Sequence, residues 1–568
     1  MPDDQLQTTR LMKNYLTYIL GALLLLGISC KQDTQTKENP DAGNLAVREW
    51  KPDDMRNMTG LTAQRGLIVN TDRDTEGYVL FEPSSDTTTF LIDKAGRVVH
   101  RWDSELNSMN SYLLPNGHLL RLERDEDFPT FAAGGQAGRV REYDWDGNML
   151  WDYELATETE LIHHDIEPMP NGNILAIAYE VMPVEEAIAM GRDPERLPRA
   201  GLWLDQVVEI RPTYPKGGEI VWEWHMKDHL VQDFDPSKAN YGDPSEHPRK
   251  IDINFHSTEE GDGPPPTEEQ VKQMIKNGMA TSNATVDNRG SDITHTNAID
   301  YHPGLDQIAL SSPGMNEIFI IDHSTTTEEA RGRSGGNQGH GGDLLYRWGN
   351  PQNYGLGTPD DRVLFGQHDI RWIPEGQPGA GRLMVYNNDP HDGKAKLPTV
   401  WAGFQNAKPP EFAMAVGDVG NFSEVLELEP PTDADGAYVL DAGGTFGPEE
   451  PAWTYRAPDL YSFYSAFISG AHRLPNGNTF ITEGMKGRFF EVSPDNEIVW
   501  EYWNPYMGTY KLPDGTEPQP KGPFIFGVFR STLIPADNPA FAGKTLEPLQ
   551  PQPEVYKMPP PPAEPEGQ

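Results

Sequence analysis

Short runs in which apolar and polar residues alternate recur along this chain, each closed by a turn. In the clearest copy, residues 140–147 read Val-Arg-Glu-Tyr-Asp-Trp-Asp-Gly and 149–151 read Met-Leu-Trp. Residues 164–175 of the same copy read His-Asp-Ile-Glu-Pro-Met-Pro-Asn-Gly-Asn-Ile-Leu. A period of two marks strands, and Asx-Gly or Ala-Gly between two such runs marks a hairpin. The same plan appears at 89–102 with 112–120, at 206–224 resuming at 292, and at 317–349 with 367–374. It appears again at 423–455 with 469–478, and at 488–502 with 528–535. A repeat of roughly 40–60 residues made of short β pieces predicts a propeller. Six copies therefore predict an all-β, six-bladed β-propeller over 61–545 with inserted loops. The insertion at 228–292 carries the one predicted helix, over 267–277, directly after Pro264, Pro265 and Pro266. Insertions of this length cap a rim or cover a site.

Composition sharpens the picture at the ends of the chain. The 55 Gly and 51 Pro fit a loop-rich β protein, and a net charge of −41 excludes nucleic-acid backbones as partners. The only cysteine, Cys30, follows Lys13, an apolar run over 15–28 and Ser29. That order reads as an export signal and resembles a bacterial lipoprotein signal, with Cys30 as the lipidated residue and Met12 as an alternative start. An uncleaved anchor is the competing reading, but about 14 apolar residues fall short of the ~20 that a span needs. The expected organisation is a signal over 1–30, a tether over 31–60 and a disordered Pro/Glu-rich tail over 546–568. The protein is expected in the periplasm or on the surface of a Gram-negative bacterium, meeting the membrane only through its lipid.

The repeat also aligns candidate chemistry. Six residues before the proline that precedes the last strand of each copy stand Met109, His164, His368, Ser469 and Phe529. His295 is assigned the equivalent place in the third copy, on the premise that a longer turn over 300–306 shifts its spacing. Equivalent positions of a propeller converge on one axis, so His164, His295 and His368 are expected to face one cavity. His472, three residues past its register position, is expected to face the other way. The alternative is structural, with each histidine satisfying a neighbouring hydroxyl or carboxylate. Three imidazoles could also hold zinc, but no HxH or HExxH spacing occurs, and no metal is assigned.

Segments 292–301 and 306–312, His163-His164-Asp165 with its Pro-Asn-Gly-Asn strand, Gln367-His368 and 469–478 resemble the bacterial arylsulfate sulfotransferase family. The resemblance spans roughly residues 65–540. It implies a propeller that moves a sulfuryl group from an aryl sulfate to a phenol through a sulfurylated histidine, without a nucleotide donor or other cofactor. It implies His368 as nucleophile, His164, His295 and Asn297 around the sulfuryl oxygens, Ser469 at the family's hydroxyl position, and His163 among the substrate contacts. In one respect the chain departs from the family: the arginine that follows the Ser-Ser pair is Pro313 here. Arg347, Arg371, Arg530 and Lys486 are candidate replacements that no motif positions. The family's disulfide also lacks a counterpart, which makes this a divergent lipoprotein member. Two other readings stay open, because a propeller alone does not fix function. One is another enzyme on the same scaffold, a polysaccharide lyase with Tyr301 or Tyr346 as base or a hydrolytic enzyme, and the other is a propeller that binds glycans or proteins.

Overall fold

The computed structural model describes residues 64–555 except 85, 126–129, 258–266, 277–282, 391–421, 459–461 and 509–525. The expected signal with Cys30, the tether and the chain past 555 lie outside the described residues. Six antiparallel sheets form the predicted six-bladed propeller. From the axis outward, blade I is Val528–Pro535, Gly77–Pro83, Thr88–Asp93 and Val98–Asp103. Blades II to VI begin at the axis with Asn107–Leu113, Glu160–Pro168, Ala298–His302, His368–Trp372 and Ser469–Arg473. These six inner strands neighbour one another in a closed circle. Each sequence copy therefore joins the two outer strands of one blade to the two inner strands of the next.

Closure is achieved from both ends of the chain. The strand Val528–Pro535 pairs with Gly77–Pro83, and Gly66–Asn70 adds a fifth strand to blade VI along Ile498–Trp503. Both sheet edges that a linear repeat would leave open are thus paired.

The tryptophans that end the repeats hold the blades together. In five of the six blades an outer-strand indole N–H donates to a group in the next blade. Trp102 reaches Asp144 O at 3.1 Å, Trp151 reaches Gly217 O at 2.8 Å and Trp222 reaches Thr325 Oγ1 at 3.2 Å. Trp348 reaches Pro448 O at 2.9 Å and Trp500 reaches Lys94 O at 2.9 Å. A buried indole needs such an acceptor, and the next blade's hairpin supplies it.

The predicted helix is found at Glu268–Lys276. Its Val271 packs with Phe131, Tyr179 and Trp203, so the insertion is tied to blades II and III. The tail expected to be disordered from 546 is instead held through its first part. Leu549 N donates to Val98 O at 2.9 Å, and the Gln552 side-chain amide both donates to Val98 O and accepts from Val98 N. Its prolines do not prevent docking, because one unpaired backbone position of an outer strand is enough to receive it.

Replacing the fully buried Trp500 by Phe should lower unfolding free energy by about 1–3 kcal/mol, from the lost hydrogen bond and lost volume. Denaturant titration measures this, and an unchanged midpoint would show that the indole does not hold blades VI and I together.

Candidate active site

At one end of the axis the inner strands leave the extended region. His164 (φ 55°), His295 (φ 51°), Asp369 (φ 57°) and Ile468 (φ 44°) are all left-handed. This conformation costs a residue with a Cβ about 1–3 kcal/mol, most for a β-branched one, and it clusters at functional sites. Pairing is interrupted at the same depth, between Ala176 and Ala178 opposite the blade III inner strand and between His368 and Arg371 in blade V. Bulges of this kind redirect side chains.

Three histidines meet there. The His164 and His295 rings lie edge to face with centroids 4.5 Å apart. Phe529 sits between His164 and His368, 6.2 and 6.4 Å from their rings. The three rings lie close to one another, although counting back from Pro303 gives Asn297 as the blade IV register residue. His295 stands two residues upstream and enters from the loop before the strand. The turn is not lengthened, because pairing continues to His302 opposite Gln307.

Each imidazole has its own support. His368 Nδ1–H donates to Gly366 O and Asn388 Oδ1, both at 2.9 Å, and its Nε2 accepts the Ile468 N–H at 3.2 Å. A backbone N–H facing Nε2 requires a lone pair there, so the proton is on Nδ1. Burial brings the His368 pKa down to about 4. His164 Nδ1 lies 2.8 Å from His163 Nδ1, and His163 Nε2 lies 3.1 Å from Asp205. Burial, then His295 and its neighbours, hold His164 well below the ordinary histidine range. His295 Nδ1 bonds Asp292, which also accepts the Tyr179 hydroxyl at 2.9 Å. Gly134 and Gly135 lie over these rings. A Cβ on Gly135, at φ 70°, would stand 2.1 Å from His164 Cε1, so only glycine fits.

Below the histidines lies a layer of ion pairs. Arg530 Nη1 is 2.8 Å from Asp165, and its Nε is 2.8 Å from Asp369. Arg371 Nε is 2.7 Å from Asp369. Tyr112 donates to Asp165 at 2.6 Å. His472 packs against Phe480 of its own blade, and its Nε2 lies 3.4 Å from Leu533 O of blade I. Burial and Arg371 bring the His472 pKa down to about 4.

Several expected substrate contacts have other partners. Arg347 is fully buried in an outer strand, paired with Glu317 and donating to Lys250 O. Lys486 is buried against Glu483. His163 is fully buried, stacked on Tyr179 at 3.6 Å, with its Nδ1 on His164. Asn297 Nδ2 donates to Gln367 O at 2.9 Å, and Ser469 Oγ accepts from Asn388 Nδ2 at 3.1 Å. Both therefore position the His368 segment. Tyr301 and Tyr346 bond Asp306 and Gly447 O and stand apart from the histidines, in blade IV. The sequence pattern does not single out Gly134, Gly135, Asp205, Asp292, Asn388 or Ile468. Only the Gly-Gly pair leaves a trace there, since adjacent glycines signal close backbone approach. Among the described residues no group of three His, Cys, Asp or Glu is arranged to hold a metal ion.

Comparison with known proteins gives a family match. The profile of the Arylsulfotransferase (ASST) family matches residues 47–413. No curated protein is significantly similar. Similar solved structures include a protein of unknown function from Bacteroides caccae, at 10% identity and TM-score 0.34, covering 76% of this chain and 94% of that one. Another is a virginiamycin B lyase from Staphylococcus aureus, at 9% identity and TM-score 0.30, covering 77% and 88%.

Replacing Arg530 by Met should cost about 3–5 kcal/mol, because Asp165 and Asp369 would keep buried charges without their partner. Lys should restore little, since a point charge cannot span both carboxylates. Chemical denaturation of the two variants checks this, and a Met variant within about 1 kcal/mol of wild type, the worth of a single weak hydrogen bond, would refute it.

Proposed function

This chain belongs to the arylsulfotransferase family, and from that membership we propose that it moves a sulfuryl group from an aryl sulfate to a phenol through His368. The observation that carries this reading is the fixed tautomer of His368. Its Nδ1–H is held by Gly366 O and Asn388, and Nε2 keeps a lone pair, which accepts the Ile468 N–H. A neutral imidazole of this kind is a competent nucleophile.

In the first half-reaction Nε2 attacks sulfur and the S–O bond to the aryl group breaks. The departing phenolate, whose conjugate acid has a pKa of about 10, takes a proton from Nε2 of protonated His295. Asp292 at Nδ1 supports that cation. In the second half-reaction an acceptor phenol returns its proton to His295, its oxygen attacks sulfur, and the S–N bond breaks. Sulfuryl transfer parallels phosphoryl transfer, with a loose transition state whose charge lies on equatorial oxygens. Fixed donors then supply the stabilisation. His163 Nδ1 bonds His164 Nδ1, and with His163 as the donor the proton of His164 is on Nε2, the outer nitrogen. The Ile468 N–H is released as Nε2 bonds sulfur, and becomes a second donor. Asn297 and Ser469 act through Gln367 and Asn388.

His368→Ala should abolish transfer from p-nitrophenyl sulfate to phenol while the fold persists, and a donor pulse should label the peptide containing His368. Label on a tyrosine, or activity in the variant, would overturn the assignment. The pH profile separates this site from an ordinary histidine. A pKa lowered to about 4 keeps the nucleophile neutral down through pH 6.5, so its acid limb should lie near 4. Stability should decline over the same interval, because unfolded histidine, with a pKa near 6.5, binds protons that the folded ring refuses. Rates must therefore be measured well below the melting temperature.

We also propose export with lipid attached at Cys30, on the motif described above. Palmitate labelling should vanish in Cys30→Ala, and equal labelling of both proteins would refute it.

A further inference from the structure

A small pocket opens beside His295, between the Ala132–Gly134 loop, Trp203 and the end of the insertion at Asn288, Arg289 and Gly290. The reaction scheme above leaves its arginine unused. Arg289 is half-buried and, among the described residues, has neither an ion-pair nor a hydrogen-bond partner. The chain carries 87 acidic residues against 46 Lys and Arg, so a lining guanidinium without a carboxylate is unexpected. The pocket's own acid, Asp292, is already bonded by His295 and Tyr179. The other candidate arginines, Arg347, Arg371 and Arg530, are held by Glu317, Asp369 and Asp165. A partly desolvated cation with no internal counter-charge calls for an external one.

We infer that Arg289 binds an oxyanion of the substrate, in the pocket it shares with His295. The inference rests on the sulfotransferase reading for the identity of the substrate, and adds a residue outside the histidine constellation. His295 connects the two regions, since it lines the pocket while its ring lies 4.5 Å from that of His164. The planar guanidinium fork matches an oxyanion bidentately, which a lysine does not. The anion has two possible sources, the sulfate ester of the donor or a carboxylate on the acceptor.

The test uses the full chain and Arg289→Ala, with p-nitrophenyl sulfate as donor and either phenol or para-hydroxybenzoate as acceptor. The substitution breaks no internal bond, so the denaturation midpoint should be unchanged. The donor KM should rise roughly 10- to 100-fold, as for one lost charge-assisted pair, and added guanidinium chloride at millimolar concentration should restore part of it. If only the carboxylated acceptor shows a raised KM, the anion belongs to the acceptor, which equally supports the inference. Unchanged KM values for donor and both acceptors would overturn it. If the wild type transfers nothing, calorimetry with inorganic sulfate decides instead. Binding that Arg289→Ala loses supports the inference without the sulfotransferase reading, whereas equal binding, or none to either protein, overturns it.

Discussion

One guanidinium organises the centre of this molecule. Arg530 lies on the strand that closes the ring, and it bridges Asp165 of blade III and Asp369 of blade V. Those aspartates directly follow His164 and His368. Closing the propeller and setting two of the three histidines are therefore a single event. The bridge also acts electrostatically, since Arg530 is among the charges that disfavour protonation of both imidazoles. A buried ion pair is seldom a net source of stability, but removing one partner is costly. Its value here is that it fixes geometry.

The strained backbone follows from the same arrangement. Left-handed φ values at His164, His295, Asp369 and Ile468 are tolerable only where the surroundings over-determine them. Ion pairs hold the strands below, the Gly134-Gly135 loop covers the rings above, and the insertion braces that loop through Val271. At Ile468 the strain has a visible consequence, because the backbone N–H is turned onto Nε2 of His368.

Much of this is legible in the sequence, and what is not has a common cause. Alternation and turn residues mark the strands, the repeat counts six blades, and a common offset from proline brings His164 and His368 together. The terminal tryptophans are visible as markers, yet their hydrogen bonds to the next blade are not. Partners lie further out of reach. Arg347 and Arg530 look alike in sequence, but one is an outer-strand residue paired with Glu317 and the other is the axial clamp. Ion pairing across blades depends on which positions the closed ring makes adjacent, and local pattern carries no such information. His163 reads as a substrate contact for a related reason: only the stacked Tyr179 and nearby Asp205 show that it faces inward. The tail reads as disordered because composition speaks to what a segment can bury and not to a single docking bond such as that of Gln552.

The layer beneath the histidines also bears on how an anion can enter so acidic a protein. Asp165 and Asp369 face Arg530 and Arg371, two carboxylates against two guanidiniums. Glu167 and Asp300 would add two further negative charges at the same depth. Burial and then mutual repulsion hold Glu167 well above the ordinary carboxyl range, and burial brings Asp300 up to about 7. A raised carboxyl keeps its proton as pH rises toward neutrality, so at and below that pH the floor of the site carries little net charge. In the proposed reaction, a sulfate ester approaching His368 then meets imidazoles and backbone N–H groups over a nearly balanced base. The chain's charge of −41 is largely a property of its surface, where salt screens it within about 8–10 Å.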